Sequence, residues 1–326
     1  MLLLLAAAVG GSRAVAGIPA LLAAILPPGV TPAQADDSPG APFVALRLDR
    51  PITASRFTPQ LLYPLVAHDV PAWLIAHAPA PQPRLRAEPP PPGPPKVAIV
   101  IDDLGADLAR TDRALALPRP VALSFLPYAD ATPWLAAEAE RAGHDVLVHM
   151  PMEAEGEHDP GPLALTVGLA PDEIRRRLDA ALQRVPGAVG LNNHMGSRFT
   201  AGRDGLIPVA EDLAARHLFF FDSRTTPATQ VVAVSHAFGV ASTGRDVFLD
   251  DEQTATAVDA QLAELEAKAR AQGVAIAIGH PHDVTLAALA AWTARAGARG
   301  FVLIPLPDAI RLKTEREARL ALAGPR

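Results

Sequence analysis

From Lys96 onward the chain alternates short apolar runs with longer amphipathic stretches. The runs fall at residues 97–101, 121–125, 146–149, 188–193, 218–222, 274–279 and 301–304, and Val240 marks a further short one. Unbroken runs rich in β-branched and aromatic residues predict strands buried on both faces, as in a parallel sheet. Helical patterns lie between them. Thr132-Pro133 opens one, with a cap residue followed by proline at the first helical position. Pro171 opens another, carrying Ile174, Leu178, Leu182 and Val185 on one face. Residues 253–272 form a third, stopped by Gly273, and residues 286–296 a fourth. About seven strands alternating with helices predict parallel βαβ units, and the length of this region favours an α/β barrel or near-barrel over an open sheet.

The N-terminal third has a different texture. Residues 1–35 are apolar around Arg13 and close with Ala33-Gln34-Ala35 before Asp36-Asp37, the pattern of a cleaved export signal. The rival is an uncleaved membrane anchor, but Pro19, Pro27 and Pro28 leave no clean span of ~20 apolar residues. Either way the expected location is periplasmic or secreted, with membrane contact only through an uncleaved segment. Residues 36–78 offer a short strand from Phe43 to Leu48, a second apolar piece at 61–66, and no recognisable chemistry. Residues 79–95 are proline-rich around Pro89-Pro90-Pro91-Pro92 and predict an extended, semi-rigid linker. The expected domain therefore covers residues 96–315, with 316–326 as a tail.

Composition narrows the chemistry. The 326 residues carry 29 Lys+Arg against 35 Asp+Glu, a net charge of −6, which argues against a nucleic-acid partner. There is no cysteine. Disulfides, thiolate metal sites and cysteine nucleophiles are excluded, so any metal must be held by His, Asp or Glu.

Such residues gather at the strand ends. The first run ends in Asp102-Asp103, the third in His149-Met150-Pro151-Met152-Glu153, and the fourth in Asn192-Asn193-His194. The fifth ends in Asp222-Ser223-Arg224 and the late one in His280-Pro281-His282. A parallel barrel brings these ends to one mouth. Carboxylates with neutral imidazoles suit Zn²⁺ or a similar divalent ion, and a second carboxylate beside a ligand can take a proton from water. On an extended strand Asp102 and Asp103 point to opposite sides, so a split into one ligand and one base is expected. Metal-assisted hydrolysis is the chemistry this set suggests.

The segment from Lys96 to Ile310 resembles the polysaccharide deacetylases, most closely their divergent branch. The resemblance rests on residues 101–105, 143–153, 192–197, 221–225 and 278–280. It implies a distorted (β/α)7-type barrel and removal of acetyl groups from a cell-envelope or extracellular glycan with a divalent metal, Zn²⁺ by expectation. It further implies Asp102 as base, His280 as general acid, and Asp103 and His149 as ligands. Glu153 stands where the family has a second histidine, so Glu153 or His194 completes the metal set. Asn193, Asp222, Arg224 and His282 are candidates for binding substrate or supporting the catalytic groups. Glu153 could equally be a surface carboxylate in an acidic loop, Asp222 a turn cap, and Arg224 a partner for acids at the mouth. The altered motif positions leave an alternative, an inactive glycan-binding or envelope scaffolding protein with envelope-protein partners. A phosphohydrolase is a third option, weakened because Asp102 and Asp103 are adjacent.

Overall fold

The computed structural model describes residues 3–6, 30–32, 43–48 and 93–323. The chain divides into two units, residues 1–87 and 88–326. In the first, β1 (Leu3–Ala6), β2 (Val30–Pro32) and β3 (Phe43–Leu48) form an antiparallel sheet in the order β1-β3-β2. The expected strand at Phe43 is therefore present. The apolar piece at 61–66 and residues 79–92 of the proline tract lie outside the described residues, as does most of the expected export signal.

The second unit runs β4 (Lys96–Leu104), α1 (Leu108–Leu115), β5 (Ala122–Phe125), α2 (Thr132–Ala142), β6 (Val146–Met152), α3 (Pro171–Arg184), β7 (Ala188–Met195), α4 (Arg203–Arg216), β8 (Phe219–Asp222), α5 (Val231–Ala237), β9 (Ser242–Gly244), β10 (Val247–Phe248), α6 (Ala255–Gln272), β11 (Val274–Gly279), α7 (Asp283–Ala296), β12 (Val302–Leu303) and α8 (Leu306–Ala323). All pairings in its sheet are parallel, in the order β10-β11-β4-β5-β6-β7-β8-β9, with β12 also on β4. This is the expected distorted (β/α) barrel. Its two end strands are consecutive in sequence: residues 242–248 pair first with β8 and then with β11, so Arg245-Asp246 bridges the seam.

Strand alternation sorts the core into two clusters. Val97, Ile99 and Ile101 face the helices, whereas Ala98 and Val100 join Ala122, Leu147, Phe219, Phe221, Ile276 and Ile278. Leu306, Ala309 and Ile310 of α8 belong to the same inner cluster, so the last helix completes the barrel interior. Gly190 keeps β7 close to β8 there, because a Cβ at this position would lie 2.5 Å from the Phe219 ring.

Several local expectations change. Thr132 is not a cap: it is the first residue of α2, and its hydroxyl donates to the Leu126 carbonyl. The cap of α6 is Thr254, and Gly273 at φ 83 ends that helix as expected. Helices α1, α4, α5 and α8 add to the four expected ones; α1 is short but amphipathic, with Thr111 and Ala114 buried and Asp107 capping its start. α8 runs through residue 315, the expected domain end, to Ala323. Among the described residues no helix is long and apolar enough to cross a membrane. Replacing Gly190 by Val should destabilise the unit by about 1–3 kcal/mol in denaturant unfolding, through the clash with Phe219.

Candidate active site

The inner cluster continues upward as a polar layer. The next inward position on each strand after the apolar ones is Asp102 on β4, Ser124 on β5, His149 on β6, Asn192 on β7, Ser223 just beyond β8 and His280 just beyond β11. Each side chain reaches the carboxyl-end mouth because its strand carries it there.

At the end of β4 the pairing with β5 slips between Ile101 and Leu104, and Asp103 adopts a left-handed φ of 57°. The expectation that Asp102 and Asp103 point to opposite sides is therefore corrected. The bulge re-aims the second carboxylate so that both approach one imidazole. His149 Nε2 lies 3.7 Å from Asp102 Oδ2 and 3.2 Å from Asp103 Oδ1.

Asn192 organises this corner. Its Nδ2 donates to both Asp102 oxygens, at 2.8 and 3.0 Å, and to Ser223 Oγ at 3.2 Å. Its Oδ1 then faces Ser124 Oγ at 2.6 Å and His149 Nδ1 at 2.9 Å. This network assigns the proton to His149 Nδ1 and leaves a lone pair on Nε2. That lone pair meets Asp103 Oδ1 and His194 Nδ1, which are 2.9 Å apart; the two ring nitrogens are 3.2 Å apart. Asp103 Oδ1 is buried and accepts a well-aligned hydrogen bond from neither ring. Two imidazole nitrogens converging on an orphaned carboxylate oxygen make a three-ligand set that fits a divalent cation.

The charges agree. Burial works to raise the Asp103 carboxyl, but contacts with His149 and His194 hold it well below the usual range. Burial lowers the His149 value, and the charges of Asp102 and Asp103 more than reverse it. Asp102 moves the other way: burial raises its carboxyl despite His149, His280 and Asn192. It is thereby a stronger proton acceptor than an exposed aspartate.

His280 stands beside this cluster, its Nε2 4.0 Å from Asp103 Oδ2. Its Nδ1 bonds Asp250 Oδ1 at 3.0 Å, while Asp250 Oδ2 accepts from the His280 backbone N–H and from Thr285. Burial disfavours the imidazolium, but Asp250 and the Asp102 and Asp103 charges raise its pKa to about 9. His280 is thus held as a charged acid at neutral pH.

The remaining candidates divide. His194 joins the cluster, but Glu153 does not: its carboxylate accepts from the Val167 N–H and pairs with Arg198 at 3.0 Å, bracing the loop after β6. Asn193 accepts from the Ser223 N–H and donates to the Met195 carbonyl, fixing the rim of the mouth. Asp222 is on the outward face of β8 and caps the following turn through Arg224 N–H and Thr229. His282 packs at 5.9 Å from the His280 ring and forms a second group with it and Asp250. Arg224 lines the cleft of about 990 Å³ into which the cluster opens. Asp250 and the structural role of Asn192 went unread in the sequence. The signal for Asp250 was there: Val247-Phe248-Leu249-Asp250-Asp251 repeats in short form the apolar run ending in two acids that marks β4.

His280 should titrate near pH 9 by NMR in the metal-free protein, and Asp250→Asn should bring it down towards its ordinary 6.5. Because the folded-state value lies above the ordinary one, proton binding at His280 stabilises the fold. That contribution should be complete below pH 6.5 and lost as the pH rises through about 9.

Residues 99–310 match the family model for divergent polysaccharide deacetylases. The Escherichia coli (strain K12) protein YibQ is 37% identical over 194 residues, 60% of this chain. The chain spans 61% of the length of YibQ. A Haemophilus influenzae protein is 36% identical over 196 residues, covering 60% of this chain and 70% of its own length. The crystal structure of protein ATU2773 from Agrobacterium tumefaciens C58 superposes with a TM-score of 0.64 at 29% identity, over 66% of this chain and 88% of that one. By the family match over most of its barrel unit, this chain belongs to the divergent polysaccharide deacetylases.

Proposed function

We propose that the protein is an exported, metal-dependent hydrolase that removes acetyl groups from a cell-envelope or extracellular glycan. The observation that carries this reading is the orphaned Asp103 Oδ1 facing two imidazole nitrogens, with His280 beside it. Asp103, His149 and His194 would hold the cation, Zn²⁺ by ligand chemistry. When bound, the cation supplies Lewis-acid polarisation of the acyl carbonyl and a lowered pKa of water.

The chain's own residues supply the proton transfers. Asp102, raised by burial, takes the proton of the attacking water. His280 gives its Nε2 proton to the departing sugar nitrogen or oxygen, and Asp250 holds the ring at Nδ1 throughout. Asn192 serves both sides: it orients the base and, through Oδ1, presents the His149 lone pair. The export part rests on residues 1–35 with their Ala33-Gln34-Ala35 close.

Acetate release from acetylated glucosamine oligomers and acetylated xylan, with zinc added back, tests this. Asp102→Asn and His280→Ala should each lower kcat by about 10²–10⁴-fold. A wild type inactive across that panel, or an Asp102→Asn enzyme as fast as wild type, would overturn the hydrolase and favour a glycan-binding protein on the same barrel. Asn192→Leu should weaken zinc affinity by about 10–100-fold in chelator competition, while Glu153→Gln leaves it unchanged.

A further inference from the structure

We propose that Arg224 and Arg245 form an anion subsite, so that the substrate is an acidic glycan bearing a carboxylate or phosphate close to the bond that is cut. The proposal rests on the hydrolase reading and gives its substrate a chemical class. Both arginines line the cleft that contains Asp102, Asp103 and His280. Neither makes an ion pair within 4.0 Å among the described residues. Arg245 instead donates to the backbone carbonyls of Ser223 and Arg224, at 2.6 and 3.2 Å. These bonds lock its position without neutralising it.

The cleft's acids are engaged elsewhere or stand off. Asp246 binds Lys313 through both oxygens at 2.7 Å, and Glu264 faces Lys268 at 3.5 Å. Asp222 gives its oxygens to Arg224 N–H and Thr229. Asp222, Asp102 and Asp251 act on Arg245 through longer-range charge, none of them within ion-pair distance. Burial, and after it the Arg224 charge, disfavours the charged form of Arg245 despite those acids. An arriving anion relieves both costs; Arg224 offers it a planar fork, and Arg245 the N–H groups that its carbonyl bonds leave over.

The pair is also built into place. Arg224 is turned by a left-handed φ of 52°, and its stem lies over Gly244, where a Cβ would come within 2.5 Å of Arg224 Cδ. Arg245 sits at the seam of the barrel, its guanidinium 4.7 Å above the Phe248 ring. The other neighbour of that ring is His280, at 5.2 Å between centroids. One aromatic ring therefore separates Arg245 from the acid that would protonate the leaving group. An anionic substituent held there belongs to the reacting sugar or the next one.

Calorimetric binding by the full chain carrying Asp102→Asn, with zinc present, tests this without turnover. The probes are N-acetylglucosamine, N-acetylmuramic acid, which adds a carboxylate, and N-acetylglucosamine 6-phosphate. At least one acidic sugar should bind about tenfold tighter than the neutral one, and which one does so assigns carboxylate or phosphate. Arg224→Gln, an exposed change, should remove that advantage. Arg245→Lys, which keeps charge without the fork, should retain part of it. Equal affinity for all three sugars, or an advantage that survives Arg224→Gln with Arg245→Gln, would overturn the subsite. A preserved anion preference in a wild type that releases no acetate would sink the hydrolase reading and leave the subsite standing.

Discussion

The Asn192 side chain donates to Asp102 on β4 and to Ser223 beyond β8, and accepts from Ser124 on β5 and His149 on β6. A single carboxamide on β7 therefore links five consecutive stations of the sheet at their carboxyl ends. Its orientation is not free. An ionised Asp102 can only accept, so it draws the amide nitrogen, and the amide oxygen is left for His149. The proton on His149 Nδ1 and the lone pair on Nε2 follow from that one choice. A metal-ligating histidine commonly has its other nitrogen fixed by a hydrogen bond, and the Asn192 amide, itself anchored by Asp102, makes such a bond to His149.

Charge is concentrated at this mouth at a cost. Asp102, His149 and Asp250 are buried, and Asp103 sits in strained left-handed backbone at a bulge. Unpaired, such groups would be strongly destabilising; paired and hydrogen-bonded they are tolerated. The two pairings are different in kind. Asp250 and His280 satisfy one another directly, which holds a proton on the ring. In the other set His149 and His194 face one another at 3.2 Å, and Asp103 Oδ1 between them accepts no hydrogen bond. One arrangement stores a proton, the other invites a cation, and the two stand about 4.0 Å apart.

The seam of the barrel adds a third element. Residues 242–248 change partner from β8 to β11 at Arg245-Asp246. The two side chains there are handled in opposite ways. Asp246 is neutralised by Lys313 from α8 and accepts from the Ile276 N–H, so it locks the last helix to the barrel. Arg245 is held by carbonyls and an aromatic face and keeps its charge for the cleft. Closure of the fold and provision of a cation at the mouth thus come from adjacent residues.

Periodicity alone specified the α/β alternation, because strands buried on both faces must be apolar throughout and parallel strands need crossover helices. It also placed Asp102, Asp103, His149, His194 and His280 at strand ends, where a parallel barrel must bring them together. The family resemblance implied roles for Asp102, Asp103, His149 and His280. The short strands β9 and β10 escaped notice because two or three residues carry no period, and Asp250 was missed with them. What only the tertiary structure decided was orientation. A bulge set by pairing with β5 turned Asp103 towards His149, against the plain alternation of an extended strand. Glu153 and His194 were indistinguishable as ligands in sequence, since both follow an apolar run. The loop after β6 claims Glu153 for Val167 and Arg198, while β7, one strand over, carries His194 inward. Sequence fixes which groups arrive at the mouth, because strand length and period are local. Which of them face one another depends on register and on competing partners far along the chain, and those exist only once the barrel has closed.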